Sequence, residues 1–399
     1  METQNEVKKL KKVFSAILIW FPILTMYASP IPILTNFTLG DLMLLIMFPV
    51  LVIWMMKKII SDKKYSFSIL IIYLAYIIIQ MLLTLVSDET INTNDVIFRT
   101  TRYSVYLSII IFFSKQLFDY EFGIKLYKLT SVFSTFYLFV QVTLLRTMNY
   151  MLPGTLPFLT PIRNDLQVDT KILGMDMIMR PHSIFSEPAW YAVYVLGILI
   201  ICLFSSDSDN DLKIPVIITV GILLSVSTTG ILLCAITWIF WFFHKTKENI
   251  SIQRMIIVIF IVPLILYFIT HSNSFQIFVD RIVAGDSAAG RFNGYTYLTS
   301  NWNISLSNWL FGNGMKKIPI YLAGFARVIY YYGFIGLLIF MLICVSILYR
   351  VEKSQKILLL IFLLLNLGTE VLFGPLILVY FPFILSFVKQ GQKENGNGG

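Results

Sequence analysis

The 399 residues are 57% apolar and only 13% Asp, Glu, Lys or Arg, with a formal net charge of +9. Soluble domains carry roughly a quarter charged residues, so this balance excludes a soluble globular fold. Apolar runs near the ~20 residues needed to cross a bilayer recur from end to end, and they are continuous rather than alternating. A β-barrel is thereby excluded, and helices with internally satisfied backbones remain: an all-α polytopic membrane protein.

In chain order, residues 1–12 are polar and basic, and the run that follows lacks a small-residue cleavage site. This predicts a cytoplasmic tail, not a removable signal. Spans are expected at 13–28, 39–56, 67–86, 103–113, 129–148, 190–204, 214–227, 231–243, 255–269, 331–348, 357–367 and 372–385. That is about twelve transmembrane helices with both termini on one side, the short ones helped by flanking aromatics or by tilt. The pair around Ser225 to Gly230 reads either as two spans or as one long broken helix. The resulting organisation is 1–148 N-terminal transmembrane helices, 149–188 a first large extracytoplasmic loop, 189–269 central transmembrane helices, 270–330 a second large extracytoplasmic loop, 331–388 C-terminal transmembrane helices, and 389–399 a disordered cytoplasmic tail. Loops this long are uncommon unless they carry function.

Basic residues in short loops set the orientation. The segments assigned to the inside hold 20 of the 31 Lys and Arg, which predicts a multi-pass chain with both termini cytoplasmic. Arginine is distributed differently from lysine. Of ten arginines only Arg254 and Arg350 fall inside, whereas Arg99, Arg102, Arg146, Arg163, Arg180, Arg281, Arg291 and Arg327 fall outside. Lysine suffices to orient helices; the planar guanidinium fork grips phosphate or carboxylate bidentately. The outer arginines therefore either bind an anion or pair with Asp88, Asp95, Asp165, Asp169, Asp176, Asp280 and Asp286 to hold the loops. Aromatics of the outer segments, such as Trp309 and Tyr330 to Tyr332, fit an interfacial belt or a stack for sugar rings.

Cys202, Cys234 and Cys344 lie inside apolar runs as small buried hydrophobes, and no Cys/His cluster has metal-ligand spacing. No metal or cofactor is expected. The acidic stretch from Asp207 to Asp211 lacks the glycine and distal glutamate of a calcium loop and reads as a solvated turn.

The densest motif runs Arg180-Pro181-His182-Ser183-Ile184-Phe185-Ser186-Glu187-Pro188-Ala189-Trp190-Tyr191, a charged pair beside a membrane span, where unpaired charge is expensive. This block resembles the arginine, aromatic and Glu-Pro block of bacterial Wzy-type O-antigen or capsular polysaccharide polymerases. Ser225 to Gly230 is similar to their Ser-x-Ser turn. Gly290-Arg291-Phe292, then Asn308-Trp309-Leu310-Phe311-Gly312-Asn313-Gly314, then Gly333-Phe334-Ile335-Gly336, follow the order of that O-antigen ligase/polymerase superfamily. The resemblance covers residues 180–348. Thr228 and Thr229 stand where the ligase branch often carries arginine, and Ala326, Arg327 and tyrosines stand where it has a histidine; both departures favour polymerase over ligase.

The resemblance implies a membrane glycosyltransferase, GT-C-like in fold, that joins undecaprenyl-diphosphate-linked oligosaccharide repeat units on the outer face. A chain-length regulator is the implied protein partner; no nucleic acid is expected. Diphosphate is a good leaving group, so charge stabilisation by preorganised arginines matters more than paired carboxylates. Arg180 and Arg291 are expected on the diphosphate, with Arg281 and Arg327 as further candidates, and Glu187 as the acceptor base or orienter. Tyr191 and His182 are candidate substrate contacts. Pro188 suits the first turn of a helix and would put Glu187 at its positive end, where it is a firmer partner for Arg180 than a base. A ligase-type transferase and a lipid-linked oligosaccharide flippase are the alternatives; the flippase predicts charges within spans and near-equal halves.

Overall fold

The computed structural model describes residues 2–31, 37–59, 68–87, 92–150, 152–156, 158–162, 181–204, 212–245, 286–300, 306–316, 318 and 320–386. The expected span at 255–269 and the tail at 389–399 lie outside them. The fold is all-helical, 79% helix, with no strand among the described residues. Three helical stretches, Thr93–Phe113, Tyr120–Met148 and Gly324–Arg350, are long and apolar enough to cross a membrane. Leu39–Ile53, Ile71–Val86, Pro188–Phe204, Lys213–Leu224 and Thr228–Phe243 are shorter apolar helices. The chain divides into two compact units, residues 1–126 with 291–399, and residues 127–290.

The first unit contains α1 (Glu2–Leu24), α2 (Leu39–Ile59), α3 (Ser68–Ser87), α4 (Thr93–Ser108), a π-helical turn (Ile109–Phe113) and α5 (Ser114–Leu117). α4 begins at Thr93 rather than 103 because the Asn92 side chain accepts the Asp95 N–H and caps it. Its first turns are polar, so hydropathy alone places the start too late. Phe21 of α1 meets Tyr106 of α4 edge-on, with ring centroids 5.3 Å apart.

The C-terminal part of the same unit begins within α10 (Asp286–Ser300) and continues through α11 (Leu306–Phe311), α12 (Gly324–Arg350), α13 (Lys353–Gly368) and α14 (Ile377–Leu385). α12 starts at Gly324, not at residue 331, so Arg327 belongs to a helix and not to a loop. It is interrupted at Gly333, whose φ of 64° is unfavourable for any residue with a Cβ.

The interruption leaves carbonyls without helical partners, and each finds another donor. The Asn313 N–H donates to the Tyr330 carbonyl (2.8 Å), the Gly314 N–H to that of Tyr331 (2.9 Å), and the Tyr76 hydroxyl to that of Tyr332 (2.8 Å). Gln80 Nε2 in turn donates to the Tyr76 hydroxyl at 3.2 Å. Gly314, with φ 69°, lies against Thr84 so closely that a Cβ would collide with its hydroxyl. Trp309 stacks on Phe334, with centroids 5.0 Å apart. The Asn308 to Gly314 and Gly333 to Gly336 motifs are thus one construction: a glycine turn after α11 caps a break in α12, braced by Tyr76, Gln80 and Thr84 of α3.

The second unit contains residues 127–148 of α6 (Tyr120–Met148), α7 (Pro188–Phe204), α8 (Lys213–Leu224) and α9 (Thr228–Lys245). α7 is apolar all round and buried from Tyr191 to Leu203, as a helix enclosed by neighbours must be. α8 and α9 are two helices joined by a tight turn: Val226 has φ 53°, the Ser225 hydroxyl donates to the Ile222 carbonyl at 2.7 Å, and Ser227 Oγ accepts the Gly230 N–H at 3.3 Å. The Ser-x-Ser motif is therefore the turn itself. The three cysteines are free and buried, as expected.

Candidate functional site

In the second unit, the block before α7 is a fixed turn. Ser183 takes φ 59° and is pinned on both sides: its N–H donates to Gln141 Oε1 (2.7 Å), its hydroxyl to the Ser134 carbonyl (2.5 Å). Gln141 Nε2 donates to the carbonyls of Leu152 (2.9 Å) and Ser183 (3.1 Å), tying two loop segments to α6. His182 is buried, with Nδ1 against the Phe185 carbonyl and Gly154 packed on the ring. Tyr191 is buried too; its hydroxyl pairs with Thr135 Oγ1 at 2.8 Å in space that only Gly221 leaves open. Glu187 is exposed and directly precedes Pro188, the first residue of α7, which puts its carboxylate at the helix's positive end. Arg180 and Arg281 lie outside the described residues, and of Arg291 only the backbone, within α10, is described.

In the first unit, charge collects at two places. Asp41, in the first turn of α2, accepts from the Thr38 N–H (3.0 Å), the Thr38 hydroxyl (2.9 Å), the Tyr106 hydroxyl (3.1 Å) and Arg102 NH2 (2.5 Å). The Asp41 N–H donates back to Thr38 Oγ1 at 3.0 Å, so Thr38 and Asp41 form a capping box that also anchors α4. The Arg102 guanidinium lies over the Phe98 ring, 4.5 Å from its centroid.

The second place is the junction of α12 with the end of α13. The Gly324 N–H donates to the Thr369 carbonyl at 2.9 Å, and the Asn366 side chain holds the chain on both sides, donating to the Phe362 carbonyl (2.7 Å) and accepting the Leu372 N–H (2.8 Å). Gly324 itself abuts Asn366, which leaves no room for a Cβ. This framework sets the first turn of α12 opposite Glu370, and Arg327 NH1 donates to Glu370 Oε1. The arginine side chain is 16% exposed and the glutamate 30%. Arg327 Nε is buried without a hydrogen-bond partner. Arg99 of α4 is close enough for its charge to act on Arg327, and it also pairs loosely with Asp95 at 3.6 Å. Phe373 joins the elements together, its ring 4.7 Å from Tyr103 and 5.4 Å from Tyr331.

Of the aromatics assigned to a belt, Tyr330 to Tyr332 are buried within this unit rather than displayed. Two of the described arginines expected on the outer side pair with acids that sequence reasoning did not match to them, Arg102 with Asp41 and Arg327 with Glu370; Arg99 meets the expected Asp95. A signal for each was present: Thr38-x-x-Asp41 is a capping spacing, and Thr369-Glu370 is a polar pair between two apolar runs. No group of three or more His, Cys, Asp or Glu able to hold a metal ion occurs among the described residues. Comparison of the chain with protein-family models, with curated proteins and with solved structures finds no match.

Proposed function

We propose that the chain is a polysaccharide polymerase of the bacterial inner membrane, transferring a growing glycan from undecaprenyl diphosphate to the next lipid-linked repeat unit. The observation that carries this reading is Arg327: a guanidinium set in the first turn of an apolar helix, largely enclosed, with one carboxylate partner and a second arginine nearby. An ionisable group so placed marks a functional site by default. In the transfer, the acceptor hydroxyl oxygen bonds to the anomeric carbon as its proton passes to a base, Glu187 or solvent, while the bond from that carbon to the diphosphate oxygen breaks. The electron pair leaves with the diphosphate, whose growing charge preorganised guanidinium groups stabilise. Arg180 and Arg291, with Arg281 and Arg327, are the proposed diphosphate ligands. Glu187 is the proposed base or orienter of the acceptor, and its exposure leaves it accessible to one. The resemblance of residues 180–348 to Wzy-type polymerases supplies the substrate class, and the interlocking of the 308–314 and 333–336 motifs supports reading those pieces together.

The test is a deletion strain complemented with plasmid-borne variants, its envelope polysaccharide resolved on a gel. Single-repeat products in the deletion and a restored ladder on complementation are expected, with Arg180→Lys and Arg327→Gln failing to restore it. An unaltered ladder in the deletion strain refutes the reading. The flippase alternative has one observation in its favour, the helix broken at Gly333, since interrupted helices are a recurrent part of transport sites. It predicts that the deletion traps repeat units on the cytoplasmic leaflet, where an externally added glycosidase cannot reach them.

A further inference from the structure

Arg327 is held in a way that leaves part of its fork unused. Glu370 engages NH1 and the Tyr331 side chain also bears on the guanidinium, while Nε is buried without a partner. A buried N–H left without an acceptor is unfavourable, and a native structure retains one mainly where something else completes it. The backbone on either side of Glu370 is fixed by the bonds of Thr369 and Leu372. The side chain itself is free to turn outward: Glu370 lies between helices, is nearly twice as exposed as Arg327, and accepts from Arg327 alone among the described residues. Charge argues the same way. Arg99, paired with Asp95 at 3.6 Å on an exposed helix face, adds a second positive charge that acts on Arg327. A doubly charged phosphate offers more oxygens and more charge to the same planar fork than one carboxylate does.

We propose that Glu370 is a placeholder for phosphate: it keeps the Arg327 guanidinium oriented and neutralised until an anionic phosphate group takes its position, with Arg99 alongside, and Glu370 swings out to solvent. The proposal deepens the polymerase reading, on which the choice of a lipid diphosphate as the natural occupant rests; the exchange itself requires only phosphate chemistry.

The test is equilibrium binding of farnesyl diphosphate to the full chain in lipid nanodiscs, with inorganic diphosphate titrated in parallel. Glu370→Gln removes the internal competitor, and if that competitor occupies Arg327 most of the time, affinity rises about tenfold. Glu370→Asp, which keeps the charge but shortens the reach, gives a smaller rise and provides a reading even if the glutamine variant folds poorly. Arg327→Gln weakens binding roughly tenfold to a hundredfold by removing charge-assisted hydrogen bonds, and in that background Glu370→Gln adds nothing. Arg99→Gln, at an exposed position, weakens binding about threefold and flattens its salt dependence. Unchanged or weaker binding in both Glu370 variants, with the fold intact, overturns the placeholder. Farnesyl diphosphate binding far more tightly than inorganic diphosphate assigns the position to a lipid headgroup; equal affinities assign it to soluble phosphate, and either is compatible with the exchange. The expected order of affinities alongside an unaltered ladder in the deletion strain sinks the polymerase reading alone. A lost ladder with diphosphate affinity unmoved by every variant sinks the placeholder alone.

Discussion

Two arginine–carboxylate pairs in the first unit use the same chemistry for different ends. Asp41 is 7% exposed and saturated, taking hydrogen bonds from Thr38, Tyr106 and Arg102, and it closes a capping box on α2. Glu370 is 30% exposed and accepts from Arg327 only, among the described residues. The number of bonds a carboxylate accepts, more than the presence of an arginine, separates a strut from an exchangeable contact. A saturated acid cannot release its partner without orphaning several donors at once, whereas a singly engaged acid releases one.

The sharpest way to break this contrast is to remove each acid in turn. Asp41→Ala leaves the Arg102 guanidinium and the Tyr106 hydroxyl facing a void, and should destabilise the protein by about 3–5 kcal/mol, read as loss of folded protein on detergent thermal unfolding. Glu370→Ala should cost less, about 1–3 kcal/mol, because it removes one hydrogen bond rather than several, although it leaves the largely enclosed Arg327 without its carboxylate. Equal losses at both positions would abolish the distinction. Gly333→Ala comes next: it forces a Cβ into a left-handed conformation against the Leu310 carbonyl, at a cost of about 1–3 kcal/mol, and should lower the unfolding temperature while leaving Asp41→Ala additive with it. Gln141→Ala in the second unit orphans the Ser183 N–H and should cost about 1–3 kcal/mol in the same assay. Glu187→Gln is the mildest, within about 0.5 kcal/mol because the group is exposed. Its value lies in the polysaccharide ladder: polymer of normal length at near-normal yield rules out a base role, and only a shortened or missing ladder keeps it.

How legible this was in the sequence depends on which physical signal each element carries. Helices that are apolar all round, such as α7, announce themselves, and the glutamate–proline step that starts it marks its first residue. α4 begins ten residues early because its first turns are polar and paired through Arg102 to Asp41, a long-range contact that hydropathy cannot register. The glycines of 312–314 and 333 are visible as motifs, yet their mutual capping is a tertiary relation with no local trace. His182 and Tyr191 stand out in the block before α7, but their packing against Gly154 and Gly221 is a tertiary relation that the sequence does not show. Glu370 was noticeable as a lone acid between apolar runs, but its partner lies more than forty positions away, and spacing along the chain could not name it.

The break at Gly333 has a bearing on the surrounding lipid. Residues 324–332 form a rod about 13 Å long at 1.5 Å per residue, and its carbonyl end is tied to a glycine turn and to Tyr76 rather than continuing into the rest of the span. The tilt of that rod, and with it the depth of Arg327, is set by protein contacts and not by hydrophobic matching. The proposed diphosphate affinity should therefore vary little between bilayers of short and long acyl chains.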